Sequence, residues 1–285
     1  MTFSICAFDD RVPDAPEWGV AVASKFLAVG GVVPWARAEV GAVATQAFAN
    51  VTYGPRGLDL LASGASAEDV VSALTSADEG RADRQVGIVD ARGRAASFTG
   101  ESCFAWAGGR TGKGYCCQGN ILTGADVVDA MAAAFESSEA PLPQRLLAAL
   151  EAGDRAGGDS RGRQSAALLV VRAGGDYVSD TDVAVDLRVD DHTEPIPELD
   201  RLLGLHELLF PAPGTLEFVP IDAGIAHRVR ARLAEYGYDT GTGEAYDAEL
   251  KAALWAYVGR ENLESRWTDA PQIERAVLDQ LLGPR

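Results

Sequence analysis

Behind Met1 stands Thr2, and residues 3–8 continue from it as an apolar, strand-like run. Removal of Met1 would leave a hydroxyl and a free α-amine on one residue, a nucleophile with its own base. A threonine hydroxyl is a poor nucleophile at its free pKa and needs an adjacent proton acceptor. An α-amine of pKa about 8 is one of the few groups substantially neutral near physiological pH. A small residue after an initiator Met favours its enzymatic removal, so the pair can arise without cleavage of a propeptide. On these two residues alone Thr2 is equally an ordinary strand residue, because threonine favours extended backbone.

The elements that must position Thr2 are strands and helix pairs in alternation. Segments 3–8, 18–24 and 41–48 are β-rich or small-residue apolar runs punctuated by Asp-Asp, Pro and Gly, and they read as strands of an antiparallel sheet. Segments 56–62 and 67–75 carry Leu58, Leu61, Val70, Val71 and Leu74 at helical spacing, with Ser66 placed as an N-cap and Glu68 and Asp69 in the first turn. Strands are predicted again at 85–90, 94–99, 103–107 and 115–119, with Arg92-Gly93 and Gly108-Gly109 as turns. A second helix pair, 126–135 and 144–151, is divided by Pro141-Leu142-Pro143. Segments 165–172 and 184–189 return to strand, and 197–209 closes as a helix. This order fits an α+β protein, two antiparallel sheets packed together with helices on both outer faces in a four-layer α-β-β-α sandwich. Such a sandwich can expose the start of its first strand at one end of the sheets, ordered by pairing yet reachable by substrate.

Composition narrows the classes. With 285 residues and 47% hydrophobic content the chain can bury a full core. Its 42 acidic against 25 basic residues, net charge −17, produce the wrong field for nucleic acid or anionic lipid. Neither a secretory signal nor an apolar run of membrane-spanning length is readable, so no membrane partner and a cytoplasmic location are expected. Cys6, Cys103, Cys116 and Cys117 lack paired spacing and a nearby histidine; they read as reduced, mostly buried thiols.

Ordered blocks along the chain carry a family resemblance. Thr2-Phe3-Ser4-Ile5, the run from Gly19 through Ser24-Lys25-Phe26, Ala28-Val29-Gly30, the run Gly41 to Gln46, Arg84-Gln85, Thr99-Gly100, Cys103, Trp106-Ala107-Gly108, Gln118-Gly119-Asn120, the run Gly157 to Leu168, and Asp186 to His192 resemble the bacterial Domain of Unknown Function family one thousand and twenty-eight. That family is placed in the Ntn (N-terminal nucleophile) hydrolase superfamily. The resemblance covers about residues 2–210. It implies an Ntn-type sandwich and chemistry on an amide bond, with Thr2 as nucleophile and no cofactor or metal.

Under that resemblance Thr2 would attack a carbonyl, its α-amine taking the proton and passing it to the leaving nitrogen. Lys25, after the second strand, would lower the amine pKa by like-charge repulsion and hold developing negative charge, or stand as a solvated surface lysine. Gln46, Gln118 and Asn120 offer amide donors for an oxyanion or a polar substrate, or close turns. The Gly-rich run before Ser165 has neither the spacing nor the context of a phosphate loop. Its Arg161 and Arg163 would clamp a carboxylate bidentately, or pair with Asp190 and Asp191 in a structural network. Asp190, Asp191 and His192 alternate faces on a strand and do not converge on a metal.

Beyond Pro211-Ala212-Pro213-Gly214, a linker, residues 215–285 read as a small all-α unit with helices at 225–236, 248–258 and 273–282. Leu233, Tyr236-Gly237-Tyr238, Gly241, Tyr246-Asp247, Ala253-Leu254 and the run Glu261 to Arg266 resemble a module named as a peptidoglycan-binding domain; Tyr238, Tyr246 and Trp255 there pack against each other or against a second subunit. The whole chain reads as an amidohydrolase with a small-molecule or peptide amide as partner, assembled as a homo-oligomer. The competing class is a wall-associated or fimbrial assembly protein that keeps the sandwich without activity. A cysteine nucleophile at Cys103 or Cys117 is disfavoured, since no histidine can be placed beside either.

Overall fold

The computed structural model describes residues 2–12, 14–175, 181–212 and 214–283. The expected loss of Met1, and Pro213 of the linker, lie outside the described residues. The chain divides into two compact units, Met1–Leu203 and Gly204–Arg285.

The first unit is α+β with antiparallel sheets. In chain order it runs β1 (Thr2–Asp9), β2 (Glu17–Ser24), β3 (Pro34–Arg37), β4 (Gly41–Ala47), α1 (Tyr53–Ala62), α2 (Ala67–Ser76), β5 (Arg84–Asp90), β6 (Ala95–Thr99), β7 (Gly108–Gly112) and β8 (Tyr115–Asn120). It continues with α3 (Asp126–Ser137), α4 (Leu142–Arg155), β9 (Ser165–Val171), β10 (Val183–Val189) and α5 (Pro195–Leu209), in which the division falls. One sheet has the order β10-β9-β2-β1-β8-β7 and the other β3-β4-β5-β6.

Alternation along each strand sorts the core. Phe3, Ile5 and Ala7 of β1 point to one face, where they join Met131 of α3 and Leu146 and Leu150 of α4. Cys6, Val20 and Val22 point to the other and meet Ala42, Ala44 and Val89 of the second sheet. Val43, Val86 and Ile88, on the far face of that second sheet, pack against Leu58 and Leu61 of α1 and Val70 and Leu74 of α2. Ser66 caps α2 as its position predicts, in a capping box with Asp69.

Three segments of this unit depart from the sequence reading. Residues 103–107 form no strand. Their backbone makes irregular bonds instead, Phe104 O accepting from Ile121 N and Trp106 O from Leu122 N, each at 2.9 Å. The expected Gly108-Gly109 turn is the start of β7, because only glycine fits there: a Cβ would lie 2.7 Å from the Trp106 ring at Gly108 and 2.8 Å from the Cys117 carbonyl at Gly109. Short β3 also pairs with β4 where no strand was predicted.

The second unit is helical, with α6 (Ala223–Glu235), α7 (Ala248–Arg260) and α8 (Arg275–Leu282). It is not all-α. Strands β11 (Phe218–Pro220) and β12 (Gln272–Glu274) form an antiparallel ladder, so residues 273–274, expected in the last helix, are strand. Glu274 explains the change: its carboxylate accepts from the backbone N–H of Ala276 and Val277 as the cap of α8, and takes a buried ion pair from Arg266 at 2.9 Å. Of the unit's aromatics, Tyr238 packs edge-on against Tyr257, Tyr246 lies against the core, and half-exposed Trp255 tilts against Trp267.

Candidate functional site

The period of two decides what collects at Thr2. Even positions of β1 face the second sheet, so Thr2 and Ser4 share a face with Cys6. Ser24 follows Val20 and Val22 on β2, Gln118 and Asn120 follow Cys116 on β8, Gln46 follows Ala42 and Ala44 on β4, and Gln85 shares its face with Val89 on β5. Register then sets Thr2 opposite Asn120, Ser4 opposite Gln118, Gln46 opposite Gln85 and Ser24 opposite Ser165. Polar residues from six strands thus meet between the sheets at one end, and all of them are buried.

Burying an amide or hydroxyl without a partner costs about 1–3 kcal/mol, so the hydrogen bonds decide whether this end is stable. Thr2 Oγ1 lies 3.1 Å from Ser24 Oγ, and the Thr2 carbonyl accepts from Gln46 Nε2 at 3.3 Å. The Ser4 hydroxyl donates to Gln46 Oε1 and accepts from Gln118 Nε2, both at 2.6 Å. Gln46 Nε2 donates to Gln85 Oε1 at 2.8 Å, and that oxygen also accepts from Asn120 Nδ2 at 2.9 Å. Gln85 Nε2 donates onward to Thr99 Oγ1 and to the carbonyls of Gly108 and Gly119. Gln118 Oε1 is buried without a hydrogen-bond partner. It faces Gly87, where a Cβ would sit 2.0 Å away.

A charged loop lies beside this network. Asp159 accepts from Lys25 N at 2.8 Å and from Arg161 N at 2.9 Å, and pairs with the Arg161 guanidinium at 3.3 Å. Arg163 pairs with Asp154 and Glu194, each at 2.8 Å, while Lys25 Nζ donates to the Arg163 carbonyl at 3.2 Å. A small recess with about 10 Å³ of internal space is lined by Phe3, Ala23, Ser24, Asp154, Asp159 and Arg163 among others, with Phe3 and Ala23 on the helix-covered face of the first sheet; Ser24 links it to the Thr2 hydroxyl.

The structure therefore brings Thr2, Gln46, Gln118 and Asn120 into one network, sets Arg163 at the recess, and bonds Lys25 and Arg161 to the recess residues Asp159 and Arg163. The expected pairing of Arg163 with Asp190 or Asp191 is replaced by Asp154 and Glu194. Asp190 is exposed, and its carbonyl instead holds the turn after β2 by accepting from Ala28 N at 2.9 Å; Asp191 accepts from Gln164 Nε2 at 3.1 Å. Ser4, Ser24, Gln85, Ser165, Asp154 and Asp159 were not singled out from the sequence. For the strand residues among them the sequence signal is a polar residue at alternate positions of an otherwise apolar strand, as at Thr2 and Ser4 or Gln118 and Asn120; Asp154, on α4, and Asp159, in the loop after it, carry no such signal.

The four cysteines are free, three of them buried and Cys103 half-buried. Burial pushes the thiols of Cys6 and Cys117 well up and that of Cys103 up, which keeps them protonated and poorly nucleophilic. Among the described residues no group of three or more His, Cys, Asp or Glu could hold a metal ion, and no helix is long and apolar enough to cross a membrane.

Comparison with known proteins places both resemblances. Residues 2–199 match a family of unknown function, DUF1028, and residues 216–281 match the "Putative peptidoglycan binding domain". The crystal structure of protein SPO2555 from Silicibacter pomeroyi, of the DUF1028 family, is 36% identical, with a TM-score of 0.66 over 72% of this chain and 86% of that one. Anbu (ancestral beta-subunit) from Yersinia bercovieri overlaps at 14% identity and a TM-score of 0.29, over 74% of this chain and 98% of that one. No curated protein matches the chain.

Proposed function

Taking as premise that the chain belongs to DUF1028, a family of unknown function, we propose that it is an amide hydrolase whose nucleophile is Thr2, uncovered by removal of Met1. The proposal reads the two helix-flanked sheets as a four-layer α-β-β-α sandwich of the N-terminal nucleophile type. The observation that carries it is the Thr2 hydroxyl at the start of a central strand, 3.1 Å from Ser24 Oγ and among buried polar side chains drawn from both sheets.

In the reaction, Thr2 Oγ forms a bond to the amide carbon while the α-amine takes the hydroxyl proton. The C–N bond then breaks, and the amine returns the proton to the leaving nitrogen. Water attacks the resulting ester, and its proton restores the Thr2 hydroxyl. Ser24 orients Oγ. Gln46, on the Thr2 carbonyl, fixes the backbone at the nucleophile, and Gln85 fixes Gln46 and Asn120. Lys25 adds positive charge at the recess, where its ammonium is held by the Arg163 carbonyl.

Intact-mass measurement is expected to show Met1 absent, and a β-lactone to label Thr2 in the wild-type chain but not in Thr2→Ala. Amide turnover should fall on the order of a thousandfold or more in Thr2→Ala and survive in part in Thr2→Ser. Retained Met1 with no labelling would sink the proposal. A second reading, binding without catalysis, is favoured by the match of residues 216–281 to a peptidoglycan-binding domain. Co-sedimentation of the full chain with purified peptidoglycan, undiminished in Thr2→Ala and without turnover, would select it.

A further inference from the structure

Large apolar side chains left in water are distributed unevenly over the first unit. Among its described residues Phe26, Leu27, Phe48, Val51 and Phe104 are 48–61% exposed, and only Val12 and Val183 join them as exposed large hydrophobics. Single exposed apolar residues need no explanation, but a cluster does.

These five follow the strands that end at Thr2. Phe26 and Leu27 come directly after Ser24-Lys25 at the end of β2, on one side of β1. Phe104 lies on the other side, bonded through its carbonyl to Ile121, the residue after β8. Phe48 follows β4, two residues past Gln46, and its ring meets that of Phe104 edge-on with centroids 6.2 Å apart. Val51 is in the same loop. The start of β1 thus has apolar side chains on both flanks and above it.

The backbone beneath these side chains is pinned. Lys25 N donates to buried Asp159, and the Phe26 carbonyl accepts from Ser165 Oγ at 2.5 Å, while that oxygen accepts from Val29 N at 3.2 Å. Phe48 N donates to the Asp83 carbonyl at 3.2 Å, and the Phe48 carbonyl accepts from Arg84 Nη1 at 2.7 Å. Hydrogen bonds therefore fix the backbone that carries the exposed rings, which is how a preorganised binding surface is built. The neighbouring recess is of opposite character, lined by Asp154, Asp159 and Arg163, with the Lys25 ammonium on the Arg163 carbonyl.

We infer that Phe26, Leu27, Phe48, Val51 and Phe104 form a binding site for a large apolar group, aryl or alkyl, on one flank of an amide whose other flank is short and polar. The inference rests on the proposed hydrolase reading for the identity of the amide, and on the exposed cluster for its apolar flank. Apolar side chains next in sequence to Lys25, itself bonded to Arg163, suit an amphipathic small molecule better than a second copy of the chain, whose contact would have to bury these charges with it.

Two ligand series distinguish which flank is apolar: N-acylglycines lengthened from acetyl to octanoyl, and N-alkylacetamides lengthened from methyl to octyl. Each is measured for turnover on the full chain with Met1 verified absent, and for equilibrium binding by calorimetry on wild type, Thr2→Ala and the double variant Phe48→Ser/Phe104→Ser. Affinity in at least one series is expected to rise about fourfold per added methylene over the first few, in wild type and Thr2→Ala alike. The double variant should flatten that rise. Phe26→Ser, on the opposite rim, supplies the same readout where the double variant fails to fold by circular dichroism.

Chain-length-dependent binding without turnover keeps this inference and removes the hydrolase reading; turnover without chain-length dependence does the reverse. A rise that persists in both rim variants overturns the site. So does a fall in molecular mass by light scattering in those variants with ligand affinity unchanged, which would make the cluster a contact between copies.

Discussion

The layer between the two sheets has two ends built by one rule. At one end alternation delivers Cys6, Val20, Val22, Ala42, Ala44 and Val89; at the other it delivers Thr2, Ser4, Ser24, Gln46, Gln85, Gln118 and Asn120. The apolar end is stabilised by burial, a non-directional force of about 25 cal/mol per Å². The polar end gains only about 1 kcal/mol net per hydrogen bond, but each bond has a direction, and removing one partner leaves a buried group unsatisfied. Stability is concentrated in the first end and geometry in the second, where the nucleophile is proposed.

The largest effect expected in this contrast is at Gln85. Gln85→Leu strips partners from Gln46, Asn120, Thr99 and two carbonyls, and should lower unfolding free energy by on the order of 4 kcal/mol. Val89→Ala, on the same strand face, should lower it by about 2 kcal/mol, the loss of two buried methyls and their packing. Equal losses in urea titrations of the full chain would erase the distinction between the ends.

A smaller effect sharpens it. Gly87→Ala drives a Cβ toward Gln118 Oε1 and should cost about 2 kcal/mol as overpacking. In the Gly87→Ala/Gln118→Ala double variant the losses should fall short of additivity by at least about 0.5 kcal/mol. Strict additivity would show that Gly87 does not make room for that amide.

The smallest effect concerns pH and lies outside the layer. Hydrogen bonds from Asn50 and then Arg84 hold the Asp78 carboxyl well below the usual carboxylate range, and burial followed by the Asp78 contact pushes the Tyr53 hydroxyl up to about 12. A depressed folded pKa contributes stability that is present above the unfolded value near 4 and is lost as pH falls below it. Asp78→Asn should therefore be less stable than wild type at neutral pH, with the gap closing below pH of about 4. A gap independent of pH would mean that Asp78 acts by packing alone. Since Asn50 and Arg84 also hold the loop bearing Phe48, acid should loosen the apolar rim before it reaches the glutamines.

Much of the scaffold was legible because it depends on local pattern. Leu58, Leu61, Val70 and Leu74 repeat at helical spacing, and Phe3, Ile5 and Ala7 alternate, so the helix pairs and central strands could be read directly. Segment 103–107 misled because its apolar residues suit a strand, while the actual ladder uses glycines, whose missing side chains give no pattern. At the site, Thr2 and the amides Gln46, Gln118 and Asn120 stood out by type. Gln85 and Ser24 did not, since their importance comes from neighbours on other strands and in the other sheet. Arg163 was identified but given the wrong carboxylates for the same reason: Asp154 and Glu194 are brought near it by α4 and the approach to α5.

One path through the polar network keeps a single donor direction. Gln118 donates to Ser4, Ser4 to Gln46, Gln46 to Gln85, and Gln85 to Thr99, crossing from the first sheet into the second. Sliding one sheet over the other by a single pleat, roughly 7 Å, would set these amides against Val89 and Cys6 and leave donors facing hydrocarbon. The glutamines therefore act as a key that fits one alignment of the sheets, so the same side chains that surround Thr2 also prevent the scaffold from shearing beneath it.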